Sequence, residues 1–232
     1  MYTLFVLAAT GAYLLGSIPF GLLIAKAHGK DLRSIGSGNI GATNVSRALG
    51  RKWAYFCFFL DVLKGFVPTF AAMFLATPLS TQSHTERIIV LWLWLAVGCA
   101  AVIGHIFPLY LRFKGGKGVA TSFGVALGIW PYYTTCAPFA IATWIVVVLV
   151  WRYVSLASVI ASVAFPITLA SAIALRPGWR FADLWPLLIV ATAIPLMVAI
   201  RHRQNIARLI AGTESKIRPG KSKKAQTHST LF

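Results

Sequence analysis

The chain has 232 residues, of which 58% are hydrophobic and only 12% charged, with a mean hydropathy of +0.75. This balance excludes an ordinary water-soluble domain and is that of an integral membrane protein, because a spanning helix takes about 20 mostly apolar residues. A net charge of +17 and a pI near 10.5 would suggest nucleic acid in a soluble protein, but beside a bilayer they mark cationic loops facing anionic lipid. No nucleic-acid partner is expected.

The first helix is expected over Thr3–Lys26, with Gly16 and Pro19 inside it. Ala25-Lys26-Ala27 imitates a leader cleavage site, but the segment has no basic start and exceeds the usual apolar core of about 7–15 residues. It reads as an anchor with the N-terminus outside. A polar stretch, His28–Lys52, leads to a second helix over Trp53–Thr77, and a loop over Pro78–Glu86 leads to a third over Arg87–Tyr110. Beyond a glycine-rich loop come two short helices, Val119–Tyr132 and Ala137–Trp151, turned at Pro131 and Pro138. Arg152 marks another loop, and the last two helices are Tyr153–Leu175 and Asp183–Ile200.

The cations set the orientation. With the N-terminus outside and seven helices, 18 of the 22 Lys and Arg residues fall in the inward segments and the tail. Only Arg87, Arg176 and Arg180 remain outside, with Lys64 within a helix. Such a bias is the positive-inside rule. The expected fold is therefore an all-α integral membrane protein of seven transmembrane helices with a cytoplasmic C-terminus. One membrane-embedded domain spans 1–215, and a basic, disordered cytoplasmic tail spans 216–232. Three motif-like stretches, 33–50, 112–124 and 201–214, then share the cytoplasmic face.

Lys114-Gly115-Gly116-Lys117-Gly118 threads two cations through three glycines. Glycine lets backbone N–H groups converge on an anion, and a helix start adds its positive end. Lys117 supplies a mobile point charge suited to phosphate. A Walker loop is excluded, since Leu111 stands where its first glycine belongs and Gly118 where Ser or Thr must follow the lysine. The plainer alternative is a flexible cytoplasmic turn. In Gly36-Ser37-Gly38-Asn39-Ile40-Gly41-Ala42-Thr43-Asn44, apolar residues interrupt the polarity, as in a loop that dips into protein. Ser37, Asn39 and Thr43 are candidate donors to a polyhydroxyl phosphate, and Arg47 a bidentate grip. A simple connector is the alternative.

Asp61 and Lys64, spaced i, i+3, share a helix face and read as a functional pair or as a structural ion pair. His105 reads as a hydrogen-bonded packing residue, while His28, His84 and His228 are expected at the solvent surface. His202 and Asn205 fall on one face of a helix expected to continue beyond the bilayer, against the alternative of a basic, lipid-facing amphipathic helix. Ser155 starts a helix at the same membrane face. Cys57, Cys99 and Cys136 lie in apolar segments without C-x-x-C spacing, which gives neither a disulfide framework nor a zinc site. No metal and no cofactor is expected.

Taken together, SGNIGATNVSRALG, DVLKG, GHIFPLYLRFKGGKGVATSFG and RHRQNIARLIAGTE resemble the acyl-phosphate-dependent glycerol-3-phosphate acyltransferases of bacterial membranes, from about Gly16 to Glu214. The resemblance implies a multi-pass enzyme of the bacterial cytoplasmic (inner) membrane. It would transfer a fatty acyl group from acyl phosphate to the 1-hydroxyl of glycerol 3-phosphate, giving lysophosphatidate for phospholipid synthesis. It implies that Lys114, Gly115, Gly116, Lys117 and Gly118 hold the acyl phosphate's phosphate, and that Ser37, Asn39, Thr43 and Arg47 line the acceptor site. His202 and Asn205 would approach the acceptor, Lys64 and Ser155 would lie near the phosphates, and Glu214 would pair structurally with a cation. The implied partners are both substrates, membrane lipid and an upstream acyl-phosphate-producing enzyme.

Two other classes fit parts of the chain. An anion transporter would place its site near the midplane between repeats, which the clustering on one face argues against. A scaffold that binds anionic lipid leaves the glycine and Ser/Asn motifs unused. Thioester-dependent acyltransferases commonly carry His followed five residues later by Asp. Here those positions after His28, His84, His105 and His202 hold Arg33, Ile89, Tyr110 and Ala207.

Overall fold

The structure, a computed structural model, describes residues 1–76 and 83–217. Most of the loop expected over Pro78–Glu86, His228 and the tail from residue 218 lie outside the described residues. The described chain is all-helical: α1 (Tyr2–Gly16), α2 (Phe20–Ala27), α3 (Ala42–Leu49), α4 (Arg51–Ala76), α5 (His84–Ile106), α6 (Val119–Gly128), α7 (Tyr132–Trp151), α8 (Val154–Leu175), α9 (Phe181–Arg201) and α10 (Arg203–Ile210). Six segments among the described residues are long and apolar enough to cross a membrane, α1 and α2 counting together as Tyr2–Ala27. Their flanks carry exposed side chains such as Phe74, Leu149, Ile167 and Leu196, as expected of helices that meet hydrocarbon.

Several boundaries differ from the sequence expectation, each for a local reason. The first helix breaks over Ser17–Pro19 because Pro19 has no N–H and biases the residue before it away from helix. α5 starts at His84, earlier than expected, because Ser83 and Glu86 form a reciprocal capping box. The break after α6 falls at Gly128–Pro131, while Pro138 sits inside α7 without turning the chain. The expected continuous last helix also breaks, at His202.

Small residues let the helices approach closely. A Cβ on Gly16 would lie 2.2 Å from the Ala101 carbonyl, and one on Gly104 would lie 2.3 Å from that of Tyr13. Gly65 packs on Thr121, Gly124 on Val62 and Phe66, and Gly128 on Phe66, Thr69 and Phe70, so α6 runs beside α4 in the same direction. Around these crossings the core collects Phe5, Trp94, Ile106, Tyr133, Leu169 and Leu187.

The ends of the bundle differ. At one, Arg33 meets the loop before α6, Arg201 meets the same loop, and Ile217 donates its N–H to the Arg152 carbonyl at 2.8 Å. At the other, His84 meets Asp183, and the Tyr133 hydroxyl donates to the Leu187 carbonyl. All the candidate residues except buried Lys64 gather at or near the first end.

Candidate active site

The glycine loop is pinned against the end of α5. The chain turns at Pro108 through a short 3-10 turn, Leu109–Leu111, and sets Arg112 and Phe113 at φ +50° and +62°. Left-handed backbone costs a non-glycine residue roughly 1–2 kcal/mol, so the surrounding contacts must hold it. A Cβ on Gly115 would meet the His105 carbonyl at 2.3 Å and Pro108 Cδ at 2.4 Å. One on Gly116 would lie 2.1 Å from His105 Nε2. Gly118, at φ +85°, leads into α6.

The glycines thus permit close approach, but two of the loop's amides are spent internally. Lys114 donates its N–H to the Leu111 carbonyl at 3.1 Å, and Gly116 to that of His105 at 3.0 Å. Side-chain cations give the loop its positive character instead. Arg201 donates from Nε and Nη2 to the Gly116 carbonyl at 3.2 and 3.1 Å, and from Nη2 to the Gly115 carbonyl at 3.4 Å. Arg33 Nη2 donates to the Lys114 carbonyl at 3.3 Å.

Between this loop and the 33–41 segment lies a cleft of about 320 Å³. Arg33, Ser37, Asn39, Lys114, Gly115 and Arg201 line it, with Ile40 and Phe113 as apolar walls. The opposing segment is shaped from below by buried Asn44. Its Nδ2 donates to the carbonyls of Leu32 and Ile35 at 2.9 and 3.0 Å, and its Oδ1 accepts the Ser37 N–H at 3.1 Å. Asn39 Oδ1 accepts the Gly41 N–H at 2.9 Å. Thr43 and Arg47 are exposed on α3.

A second cluster adjoins the loop and centres on the Glu214 carboxylate. Ser155 Oγ donates to its Oε1 at 2.8 Å, Asn205 Nδ2 to the same oxygen at 2.6 Å, and Arg208 Nε to Oε2 at 2.7 Å. With Nδ2 committed to Glu214, Asn205 turns Oδ1 toward Lys117, whose Nζ donates to it. Burial pulls Lys117 down to about 8, and Arg208, Arg47 and Arg201 add to that against the opposing pull of Glu214. Burial alone would raise Glu214, but the hydrogen bonds from Asn205, Ser155 and Arg208 hold it below the usual carboxylate range.

His202 is buried, and its Nδ1–H donates to the Val198 carbonyl at 2.7 Å. That bond fixes the tautomer and leaves Nε2 as an acceptor. Burial, followed by the Lys117 charge, pulls His202 down to about 4. Near neutral pH it is an uncharged acceptor.

Ser155 is bonded to Glu214, and Lys64 is buried within the helices, paired with Asp61 as their i, i+3 spacing allowed. Lys64 Nζ lies 2.8 Å from Asp61 Oδ1 and donates to the Ile18 carbonyl at 2.9 Å. His105 is buried, but its Nδ1 has no hydrogen-bond partner among the described residues. Arg33, Asn44 and Arg201 escaped the sequence reading as site-forming residues. Arg201 stands at the apolar-to-basic junction of α9, which is the only signal it offers. Among the described residues no three His, Cys, Asp or Glu side chains gather as a metal set would.

The sequence profile described as Glycerol-3-phosphate acyltransferase matches residues 6–212. The chain belongs to that family. A relative of that name from Geotalea daltonii is 44% identical over 205 residues, covering 88% of this chain and 93% of the relative. One from Trichlorobacter lovleyi is 46% identical over 209 residues, covering 90% and 95%. The fold is similar to a crystal structure of PlsY (YgiH), an integral membrane glycerol 3-phosphate acyltransferase, in its glycerol 3-phosphate form. The TM-score is 0.77 at 41% identity, over 92% of this chain and 96% of that one. The lysophosphatidic acid form of PlsY is also similar, with a TM-score of 0.75 at 40% identity over 92% and 95%. The matched residues include the cleft and, of the second cluster, Ser155, Asn205 and Arg208; Glu214 lies two residues beyond the match.

Proposed function

We propose that this chain transfers a fatty acyl group from acyl phosphate to the 1-hydroxyl of glycerol 3-phosphate, releasing lysophosphatidate and inorganic phosphate. The observation that carries this reading is a cationic cleft flanked by a lysine whose charge no carboxylate among the described residues cancels directly. Two phosphorylated substrates meeting at one place require that surplus of cations. The family membership and the two ligand forms of PlsY support the acceptor and the product.

In this reading the acceptor phosphate lies between Ser37, Asn39, Thr43 and Arg47, with Arg33 and Arg201 at its edge. The acyl phosphate lies along Lys114–Gly118. The acceptor's 1-hydroxyl oxygen attacks the acyl carbonyl carbon, the carbon–oxygen bond to phosphate breaks, and Lys117 offsets charge on the leaving phosphate. The hydroxyl proton passes to a substrate phosphate oxygen. Burial and the Lys117 charge hold His202 down to about 4 in the free protein, which disfavours it as the base. His202 Nε2 then orients the hydroxyl, and Asn205 positions Lys117. Lys64 would reach a phosphate only by leaving Asp61 and Ile18. The acyl chain extends into the bilayer, and an upstream acyl-phosphate-producing enzyme supplies the donor.

The decisive experiment uses purified protein and radiolabelled glycerol 3-phosphate. Palmitoyl phosphate should give lysophosphatidate and phosphate in equal amounts, whereas palmitoyl-CoA and acyl carrier protein thioesters should give little. Comparable rates with a thioester would reject the donor assignment.

We further infer a seven-helix arrangement with the N-terminus outside and the site facing the cytoplasm of a bacterial inner membrane. α6 is the short seventh helix, about 15 Å long at 1.5 Å per residue. Its course beside α4 and the cation-rich site end support this. A cysteine at Ser83 should be labelled from outside intact cells, and one at Ser222 should not. The reverse pattern would overturn the orientation.

A further inference from the structure

The end of α5 and the glycine loop meet as one unit, and His105 is where they touch. Its carbonyl accepts the Gly116 N–H at 3.0 Å. Its imidazole edge faces the same residue so closely that a Cβ on Gly116 would lie 2.1 Å from Nε2, 2.9 Å from Cε1 and 3.0 Å from Cδ2. The ring is buried, at 4% exposure, and leaves no room for the loop to settle inward.

The ring itself is backed by charge. Asp61 Oδ1 lies 3.7 Å from His105 Nδ1 and 2.8 Å from Lys64 Nζ. Lys64 in turn donates to the Ile18 carbonyl, which also accepts the Phe20 N–H at 3.1 Å where the first helix breaks before Pro19. Nδ1 has no hydrogen-bond partner among the described residues. Buried polar atoms of this kind are uncommon and call for a reason. Here the ring stands between the Asp61 carboxylate behind it and the glycine in front.

We propose that His105 is a positioning residue for the reaction: its ring and carbonyl seat Gly116, while Arg201 grips the carbonyls of Gly115 and Gly116. Held by both residues, the loop carries Lys117 at a fixed place relative to Asn205. No substrate contact by His105 is implied. The inference rests on the acyl-transfer reading above for its kinetic readout. Its second readout, thermal unfolding, does not depend on that reading.

The test is a double-mutant cycle on the full-length chain in detergent. Turnover is measured with whichever acyl donor the wild type uses, so a thioester donor would sink the earlier reading and leave the cycle readable. A misplacement of about 1 Å can cost on the order of a hundredfold in rate. Gly116→Ala should therefore lose about that factor, because its Cβ meets the ring. His105→Ala should lose roughly tenfold through loss of the seat. Contacting residues depart from additivity, so the pair His105→Ala, Gly116→Ala should be no slower than Gly116→Ala alone. Its melting temperature should recover part of what Gly116→Ala loses.

His105→Gln, which carries an amide to about the place of Nε2, should stay within about threefold of wild type, since it restores the contact. It also replaces His105→Ala in the cycle if the alanine variant does not fold. Two results would overturn the proposal. One is factors that multiply independently in both readouts. The other is a folded His105→Ala protein with wild-type turnover.

Discussion

Two carboxylates in this molecule each govern a lysine, and they do so in different ways. Asp61 holds Lys64 directly at 2.8 Å, with both side chains almost wholly buried. Glu214 governs Lys117 through the amide of Asn205, which donates to the carboxylate and accepts from the lysine. The direct pair spends its charge within the fold. The spaced pair orients its lysine while leaving the positive charge available to an incoming anion. An amide can do this because it has a donor face and an acceptor face.

The comparison breaks first at Lys117. Lys117→Ala should lower turnover by about a hundredfold or more, the usual cost of removing one donor to developing charge. Elution and melting temperature should stay near those of wild type, because among the described residues Lys117 donates to Asn205, which keeps its own bond to Glu214. Near-normal activity in purified protein would show that the lysine's charge is not used.

Glu214→Gln sharpens it. Glutamine can still accept from Asn205, so the geometry should survive while the charge goes. Glu214 holds Lys117 up against burial, so its loss should lower the lysine further. In wild type, Lys117 at about 8 should give an alkaline limb near that pH as its charge is lost. In Glu214→Gln that limb should move to lower pH, with turnover at pH 7 reduced by severalfold, as expected if a lysine beside a removed carboxylate favours its neutral form. An unmoved limb would mean that Glu214 acts only as a strut.

The asymmetry between the pairs was half visible in the sequence. Asp61 and Lys64 stand i, i+3 in an apolar run, so their pairing follows from helix geometry. Lys117, Asn205 and Glu214 come from three segments, and no spacing rule brings them together. The i, i+3 argument for His202 and Asn205 assumed one continuous helix; the chain breaks at His202, which instead caps α10, its carbonyl accepting the Ile206 N–H at 2.8 Å, so both residues stay in that helix's first turn. Asn44 was equally hidden, because a buried asparagine that serves two carbonyls and an amide looks in sequence like one more polar loop residue.

The fold was more legible than the site, since apolar runs declare spans directly. Its errors came from signals that compete. Pro131 and Pro138 both looked like breaks, yet proline is tolerated inside membrane helices, and only the Gly128–Pro131 junction turns the chain. The need for glycine at 115, 116 and 118 was readable, but the direction of the loop's amides was not. Two of them turn to internal carbonyls, and that choice depends on the packing of α5.

The smallest effect on catalysis is expected at Lys64, and it decides whether the direct pair belongs to the fold alone. Lys64→Met keeps much of the side chain's length but leaves Asp61 buried without its nearest cation. Removing one partner of a buried pair typically costs about 3–5 kcal/mol, so the variant should melt well below wild type. Asp61 would still face His105 at 3.7 Å, so the loop's inner seat should persist. Turnover per folded molecule, measured below the melting transition, should therefore stay within about twofold of wild type if the lysine never leaves Asp61 and Ile18. A loss comparable to that of Lys117→Ala would carry the opposite message. Lys64 would then exchange its internal partners for a substrate phosphate, and the two lysines would differ in when their charge is used rather than in whether it is.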